Sequence, residues 1–247
     1  MSLEALYLLH TQPDPQRLAA WAARNRLLDA QGDLGYALHA LLHAAFGEHA
    51  PQPFRYLDAD KGLLAYTRLS AAELAQCVAL ADPDVVAALG LGQSLNHSGM
   101  NTRPFPTQWA PGHVLGFEVR VRPTIREGKT GRERDAFLSA AEKAGGSELD
   151  RNAVYVQWLR ELLVRQGGAE MVDANVTRYQ LLGVTRKTQK GGPGEARHSR
   201  IVSGPDVVLT GQLRVTESQS FAQILSRGVG RHRAFGFGLL LLRSARG

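Results

Sequence analysis

The sequence predicts an α+β protein built from antiparallel strands and amphipathic helices. Short apolar strands alternate with helical segments, and the helical segments begin at N-cap residues such as Asp14, Ser70 and Asp150. A tight turn at 59–61 joins two strand-like segments as a hairpin. The chain has 247 residues, of which 44% are hydrophobic and 21% are charged. This length and composition are typical of a globular protein with one large or two small domains.

The first part of the chain is predicted to contain a strand, two helical segments and a hairpin. Residues 3–9 form an apolar strand pattern, and Asp14 with Pro15 supplies the N-cap and first-turn proline of a helix. Gly32 and Asp33 separate this helix from the next. The predicted bounds of the elements that follow are 34–46 for the second helix and 54–58 and 62–68 for the hairpin strands.

A further helix and a strand complete this predicted unit. Ser70 and Glu73 have the spacing of a capping box, which starts a helix that runs through Leu80. Residues 114–121 alternate apolar and polar side chains as a half-buried strand does. The order is that of a βαββαβ, ferredoxin-like unit. Residues 90–112, rich in Asn, Ser, Pro and Gly, are predicted to form a surface loop.

The second part of the chain is predicted to contain a similar but less regular unit. Asp150 caps a helix at 151–165, which ends at Gly167 and Gly168. The elements predicted after it are strands at 176–184, 200–202 and 207–215, a helix at 218–226 and a closing strand at 237–243. We therefore expect two domains, 1–125 and 126–247.

Charge is distributed unevenly between the two parts. Residues 1–100 carry 6 Lys and Arg against 10 Asp and Glu, whereas the rest of the chain carries 23 against 13. A basic surface attracts phosphates and releases counterions on binding, so the second part is expected to meet a polyanion. The alternative is a solvated basic face that binds nothing.

The sequence disfavours a membrane-spanning helix, an intrachain disulfide and a cysteine-based metal site. Cys77 is the only cysteine, so neither an intrachain disulfide nor a cysteine zinc cluster can form. No apolar run approaches the roughly 20 residues that cross a bilayer, and the N-terminal segment carries Glu4 and lacks the basic region of a signal peptide. We expect a cytoplasmic protein without a metal or small-molecule cofactor.

Two segments carry the residues suited to chemistry. Tyr36, His39 and His43 fall on one face of the predicted helix 34–46, opposite its leucines, and histidine and tyrosine can exchange or position protons near neutral pH. Residues 228–238 combine four glycines with Arg231, His232 and Arg233, a composition that suits the binding of phosphates. The glycines follow a helix and precede a strand, which differs from the order in mononucleotide-binding loops.

Three segments of the chain carry a resemblance to a known family: Tyr36-Ala37-Leu38-His39, the segment 211–216 leading into Phe221, and the C-terminal spacing G-x-G-x-x-x-A-F-G-x-G-L-L at 228–240. Together they resemble the CasE family. These are the CRISPR repeat-processing endoribonucleases of Cascade-type systems. The resemblance implies two tandem ferredoxin-like, RRM-type domains, with the repeat RNA hairpin bound along a basic face. It also implies other subunits of the CRISPR interference complex as partners.

The resemblance further implies roles for individual residues. His39 corresponds to the catalytic histidine and Tyr36 to the tyrosine one turn before it. The implied reaction is metal-independent cleavage of precursor CRISPR RNA within the repeat hairpin, by attack of a ribose 2′-hydroxyl that leaves a 2′,3′-cyclic phosphate, after which the mature RNA stays bound. The residues expected to hold RNA are Gly228, Gly230, Arg231, His232 and Arg233 in the glycine-rich segment, and Arg186, Lys187, Lys190, Arg197 and Arg200 in the basic stretch 186–200.

Other functions fit parts of the sequence. A catalytically inactive repeat-RNA-binding subunit of a CRISPR ribonucleoprotein would have the same fold, but the presence of Tyr36 with His39 favours the enzyme. An unrelated RRM-type protein is disfavoured, because the aromatic signature that stacks single-stranded bases is missing. An enzyme acting on a small phosphorylated metabolite is disfavoured by the spread of basic residues over the whole second part.

Overall fold

Two four-stranded antiparallel sheets form the framework of the protein. The computed structural model describes residues 5–28, 34–92, 99–128, 131–145, 147–187 and 199–245. The first unit comprises β1 (Leu6–Thr11), α1 (Pro15–Arg24), α2 (Gly35–Phe46), β2 (Phe54–Asp58), β3 (Gly62–Thr67), α3 (Ala71–Leu80), α4 (Pro83–Leu89) and β4 (Asn101–Phe105). Its strand order, β2-β3-β1-β4, is that of a ferredoxin-like unit.

The second unit repeats this order. It comprises β5 (Val114–Val121), β6 (Thr124–Arg126), β7 (Glu133–Asp135), α5 (Ala136–Lys143), α6 (Arg151–Gln166), β8 (Ala169–Lys187), β9 (Ser199–Val215), α7 (Ser218–Arg227) and β10 (Leu240–Ser244). Read from β8, the main sheet has the order β8-β9-β5-β10. In both sheets this places the second, third, first and fourth strands of the sheet side by side. The strands β6 and β7 pair in a separate hairpin. The protein is thus an α+β molecule with two tandem ferredoxin-like units. None of the helices in the described ranges is long and apolar enough to cross a membrane.

Side-chain alternation along β1 explains how the two units pack. Leu9 lies in the core formed with α2, whereas its neighbour Leu8 points to the opposite face. On that face, Leu8 and Tyr66 pack in the same apolar cluster as Phe117 and other residues of the second sheet. The first sheet is therefore covered by its own helices on one side and by the second unit on the other.

The structure corrects two predictions about the first sheet. The strand predicted at 114–121 forms as β5, but it pairs with β9 and β10 in the second sheet, which thus begins before residue 125. The fourth strand of the first sheet is β4, which lies within the predicted loop 90–112. It is an edge strand with no buried residue and contains Pro104, so it lacks the apolar alternation by which a strand is predicted.

The long ribbon of β8 and β9 dominates the second unit. The two strands have 19 and 17 residues, which at about 3.3 Å per residue gives a length of roughly 60 Å. The sequence predicts shorter strands here, with 186–200 as a loop. The register pairs Lys187 with Ser199 and Arg186 with Arg200, so both ends of that stretch belong to the ribbon.

Candidate active site

Helix α2 presents two chemically different faces. Its apolar side is buried in the first core, with Leu38, Leu41 and Leu42 at most 1% exposed. Tyr36 and His39 are half-buried, and His43 is exposed. The 3.6-residue period therefore places the three polar rings on the side away from the core, as the sequence predicts.

A phenylalanine from the C-terminal part of the chain covers this polar face. The Phe235 ring stacks on Tyr36 at a centroid distance of 5.9 Å and forms a T-shaped contact with His39 at a centroid distance of 5.3 Å. The rings of Tyr36 and His39 are 6.2 Å apart, and those of His39 and His43 are 4.5 Å apart. Together Tyr36, His39, His43 and Phe235 form a compact group, called here the ring cluster.

The surroundings of His39 favour its neutral form. Burial is the main cause and the neighbouring His43 the second, and together they lower the pKa of His39 from 6.5 to about 4. A neutral imidazole has a nitrogen lone pair that can accept a proton, whereas an imidazolium can only donate. At neutral pH, His39 is therefore suited to act as a base.

The glycine-rich loop 228–238 carries Phe235 to this position. Four glycines of the loop have φ between 77° and 83°, a region that residues with a side chain rarely adopt. They are Gly228, Gly230, Gly236 and Gly238. The Gly228 amide donates to the Ile224 carbonyl at 2.7 Å, and the Val229 amide donates to the Gly238 carbonyl at 2.8 Å. These glycines thus shape the loop and join its two ends, and the prediction that Gly228 and Gly230 contact phosphates stays a prediction.

Two of the loop's three basic residues share an acidic partner. Arg231 Nε lies 2.8 Å and His232 Nε2 lies 2.7 Å from separate carboxylate oxygens of Glu133, on β7. The His232 side chain is fully buried, so it faces the protein interior. Arg233 is exposed and donates through Nη1 to the Arg227 carbonyl at 2.6 Å. Of these three residues, Arg233 is thus the one best placed to meet a ligand.

A cleft of about 410 Å³ opens beside the ring cluster, between the two units. Gly35 and Gly236 line it, and each is the sequence neighbour of a ring-cluster residue. Arg120 and Gln180 in its wall both donate hydrogen bonds to the buried Asp206. The cleft gives a ligand access to the boundary between α2 and the glycine-rich loop.

The basic stretch 186–200 lies at the far end of the ribbon. Arg186, Lys187 and Arg200 belong to β8 and β9 by their backbone pairing. Lys190 and Arg197 lie outside the described residues. Contact of these five residues with RNA stays a prediction.

Sequence reasoning missed Phe235 and Glu133 as parts of this site. Glu133 lies 99 positions from its partner His232, and no local pattern links two such distant residues. Phe235 is part of the C-terminal spacing that carries the resemblance, but the residue types near it, such as Gly236 and Arg233, indicate phosphate binding and not a ring contact. Its ring contacts with α2 follow from the tertiary structure alone.

The model of a family described as CRISPR associated protein matches residues 6–244. The chain belongs to this family of CRISPR-associated proteins. Membership confirms the resemblance that the C-terminal glycines and the Tyr-x-x-His spacing indicate. Among curated proteins, this CRISPR-associated protein is similar to the CRISPR-associated endoribonuclease Cse3 of Thermus thermophilus, with 28% identity over 144 residues, or 56% of this chain. The matched part spans 59% of the length of that relative.

Solved structures show the same fold. A CRISPR endoribonuclease Cse3 bound to a 19-nucleotide RNA matches with a TM-score of 0.62 and 22% identity, covering 96% of this chain and 99% of the other. Thermus thermophilus Cse3 bound to an RNA representing a pre-cleavage complex matches with a TM-score of 0.57 and 20% identity, covering 97% and 99%. Both likenesses extend over the two ferredoxin-like units, so the tandem arrangement is that of the neighbours as well.

Proposed function

We propose that this CRISPR-associated protein is an endoribonuclease that cleaves precursor CRISPR RNA within the repeat hairpin, without a metal ion. The observation that carries the proposal is a neutral histidine, His39, held beside Tyr36 on α2 and covered by the glycine-rich loop. Family membership supports a role in a CRISPR system. The similarity to Cse3, which is named an endoribonuclease, supports RNA as the substrate.

In the proposed reaction, His39 acts as the base. It accepts the proton of the ribose 2′-hydroxyl as the 2′-oxygen bonds to the adjacent phosphorus. The bond from phosphorus to the 5′-oxygen breaks, and the products are a 2′,3′-cyclic phosphate and a free 5′-hydroxyl once that oxygen is protonated. The Tyr36 hydroxyl is proposed to position or share a proton in this step, because it lies on the same helical face as His39.

The basic second part of the chain is proposed to hold the hairpin. Arg233, exposed beside the ring cluster, would contact a phosphate near the cleaved bond, and the basic end of the ribbon would contact the stem through its backbone. After cleavage, the protein is proposed to stay on the mature RNA as a subunit of the interference complex, since product that keeps the stem keeps most of these contacts.

The test is incubation of the purified protein with end-labelled repeat hairpin RNA in EDTA, followed by identification of the product ends. Wild type is expected to leave a 2′,3′-cyclic phosphate, and His39→Ala to lower the single-turnover rate by roughly 100-fold or more, since general-base catalysis contributes about 10²–10⁴-fold. Binding affinity for the RNA should change little. His49→Ala, an exposed histidine just beyond α2, is the matched control and should cut like wild type.

Two outcomes would contradict the proposal. Tight binding without cleavage by wild type would favour the alternative, a catalytically inactive repeat-RNA-binding subunit. Cleavage by His39→Ala at the wild-type rate would show that the catalytic base lies elsewhere.

A further inference from the structure

We propose that Glu133 and Phe235 are positioning residues. Glu133 fixes the loop conformation that holds the Phe235 ring against Tyr36 and His39, so that the second unit completes an active site carried by the first. This inference rests on the proposed role of His39. It adds two residues to the site that are neither catalytic groups nor expected contacts of the RNA.

The first step is the anchoring of the loop by Glu133. Its carboxylate is 8% exposed and uses one oxygen for Arg231 Nε and the other for His232 Nε2. An ionised carboxylate can only accept, so the Nε2 atom of His232 carries the hydrogen. Charge-assisted hydrogen bonds of this kind are short and strong, and their partial burial strengthens them further.

The backbone at His232 determines where Phe235 lies. His232 adopts a left-handed conformation, with φ of 61° and ψ of 25°, which is uncommon for a residue other than glycine. The 3₁₀ turn Arg233–Phe235 begins directly after it, and the Phe235 amide donates to the His232 carbonyl at 2.8 Å. The backbone at His232 therefore sets the direction in which the Phe235 ring points.

The third step is the contact with α2. The Phe235 ring lies between 5 and 6 Å from the rings of both Tyr36 and His39. It covers part of the His39 ring from solvent, and burial is the main cause of the lowered pKa of His39. Among the residues that the structure describes, the titratable rings near this contact are Tyr36 and His43 on α2 and, on the loop, His232, whose ring centroid is 6.3 Å from that of Phe235.

The test compares Glu133→Gln and Phe235→Ala with a matched control, Glu170→Gln. Glutamine can accept from one loop donor but places an amide N–H group against the other, so it disrupts the anchor with little change of shape. Glu170 also pairs with an arginine, Arg214, but both side chains are about half exposed on the distant β8–β9 ribbon. A general effect of losing an acid–arginine pair would appear in the control as well.

The first measurement is the titration of the His39 ring by NMR in the RNA-free protein, with its signal assigned from a His39→Gln variant. In wild type and in Glu170→Gln we expect a pKa near 4. In Glu133→Gln and Phe235→Ala we expect a pKa that moves at least one unit toward the ordinary value of about 6.5, because water reaches the ring. Phe235→Leu, which keeps apolar cover, should restore most of the lowering.

The second measurement is single-turnover cleavage of repeat hairpin RNA at neutral pH. Both variants are expected to cut at least 10-fold more slowly than wild type while binding RNA within about 3-fold of it. The inference is overturned if the His39 pKa and the cleavage rate of Phe235→Ala both equal those of wild type. Because Phe235 is half-buried on a loop, this variant keeps the test valid even if Glu133→Gln fails to fold.

The two proposals fail in different ways. If wild type does not cut RNA, the proposed function fails, while the NMR titration still reports whether Glu133 and Phe235 shape the surroundings of His39. If wild type cuts and neither variant differs from it, the nuclease stands and the positioning role fails.

Discussion

His39 and His43 have different surroundings although they lie one turn apart on α2. His43 is exposed, whereas His39 is half-buried beneath the Phe235 ring. Burial penalises the imidazolium form of His39, and a positive charge on His43, 4.5 Å away between ring centroids, would penalise it further. The result is one histidine that stays neutral over the physiological range, which is the form a base requires.

The pH dependence of cleavage tests this assignment. Because the pKa of His39 is lowered to about 4, the rate of a base-catalysed reaction should rise with pH up to about that value and then level off well below pH 6.5. His43→Gln removes the smaller of the two causes, so the rising limb should move to higher pH yet remain below 6.5. Single-turnover rates between about pH 3 and 8, for wild type and for His43→Gln, would measure both effects.

The control for this prediction is His49→Gln, whose side chain is exposed outside the ring cluster. This substitution should leave the rising part of the pH–rate profile at the same pH as in wild type. A rate that falls as pH rises above 4 would contradict the assignment, because it would mean that His39 must be protonated to act. An unshifted limb in His43→Gln would show that burial alone sets the pKa.

At the scale of elements, the glycine-rich loop is a packed connection as well as a candidate RNA contact. A Cβ atom on Gly238 would lie 2.5 Å from the Val229 carbonyl oxygen, and one on Gly228 would lie 3.0 Å from both Gly238 and Pro53. The Gly238 amide donates to the Arg120 carbonyl at 2.7 Å, which attaches the loop to β5. Glycine is therefore required by the loop's own packing, whatever the loop binds.

Gly238→Ala and Gly112→Ala separate the cost of packing from the cost of a positive φ. The two glycines have φ of 81° and 86°, but an added Cβ meets nothing within 4 Å at Gly112. We expect Gly112→Ala to lower the free energy of unfolding by about 1–2 kcal/mol through φ strain alone. Gly238→Ala should lower it by about 3–4 kcal/mol, because the backbone clash adds to that strain.

Urea unfolding followed by circular dichroism would give both values. Equal losses in the two variants would mean that the loop relaxes around a methyl group at Gly238. In that case the close packing of the loop would be a poor reason for its glycines, and a direct role of that position in RNA contact would become the better one.

The elements that the sequence predicts well are those with local signals. Asp14, the Ser70–Glu73 capping box and Asp150 start helices where expected, because a cap is a contact between residues two or three positions apart. β4 escapes prediction because an exposed edge strand needs no apolar alternation. α4 is not predicted either, although it begins with the same Asp-Pro signal as α1. It is only seven residues long and lies next to a segment that resembles a loop.

The candidate site also has a part that the sequence predicts and a part that it does not. The grouping of Tyr36, His39 and His43 follows from helical spacing, and the structure places their rings together. The cover supplied by Phe235, and the anchor supplied by Glu133, depend on how the second unit packs on the first. No periodicity in one segment encodes a contact between residues that lie on different units.

At the scale of the whole molecule, contacts between the two sheets hold the site together. Arg55 on β2 forms an ion pair with Glu118 on β5 at 2.6 Å, and the Arg55 side chain is 9% exposed. The Tyr66 hydroxyl on β3 donates to the Leu240 carbonyl on β10 at 3.1 Å, within the shared apolar cluster. Helix α2 and the glycine-rich loop belong to different units, so the geometry of the ring cluster depends on these contacts.

Tyr66→Phe tests how strongly the sheets are coupled. The substitution keeps the ring, which is 1% exposed, but leaves the Leu240 carbonyl without its donor. An unsatisfied buried acceptor costs about 1–3 kcal/mol, so the urea midpoint should fall at neutral pH. Tyr7→Phe, a half-exposed tyrosine on the neighbouring strand β1, is the matched control and should have little effect.

The pH dependence of this difference gives a second readout. Burial raises the pKa of Tyr66 above its ordinary value of 10, so the unfolded chain loses this proton at lower pH than the folded protein does. The stability linked to Tyr66 is therefore fully present below about pH 10 and declines as pH rises above it. Tyr66→Phe cannot show this decline, so its deficit relative to wild type should shrink between about pH 8 and pH 11. A deficit that stays constant over this range would contradict the prediction, because it would mean that Tyr66 ionises equally readily in both states.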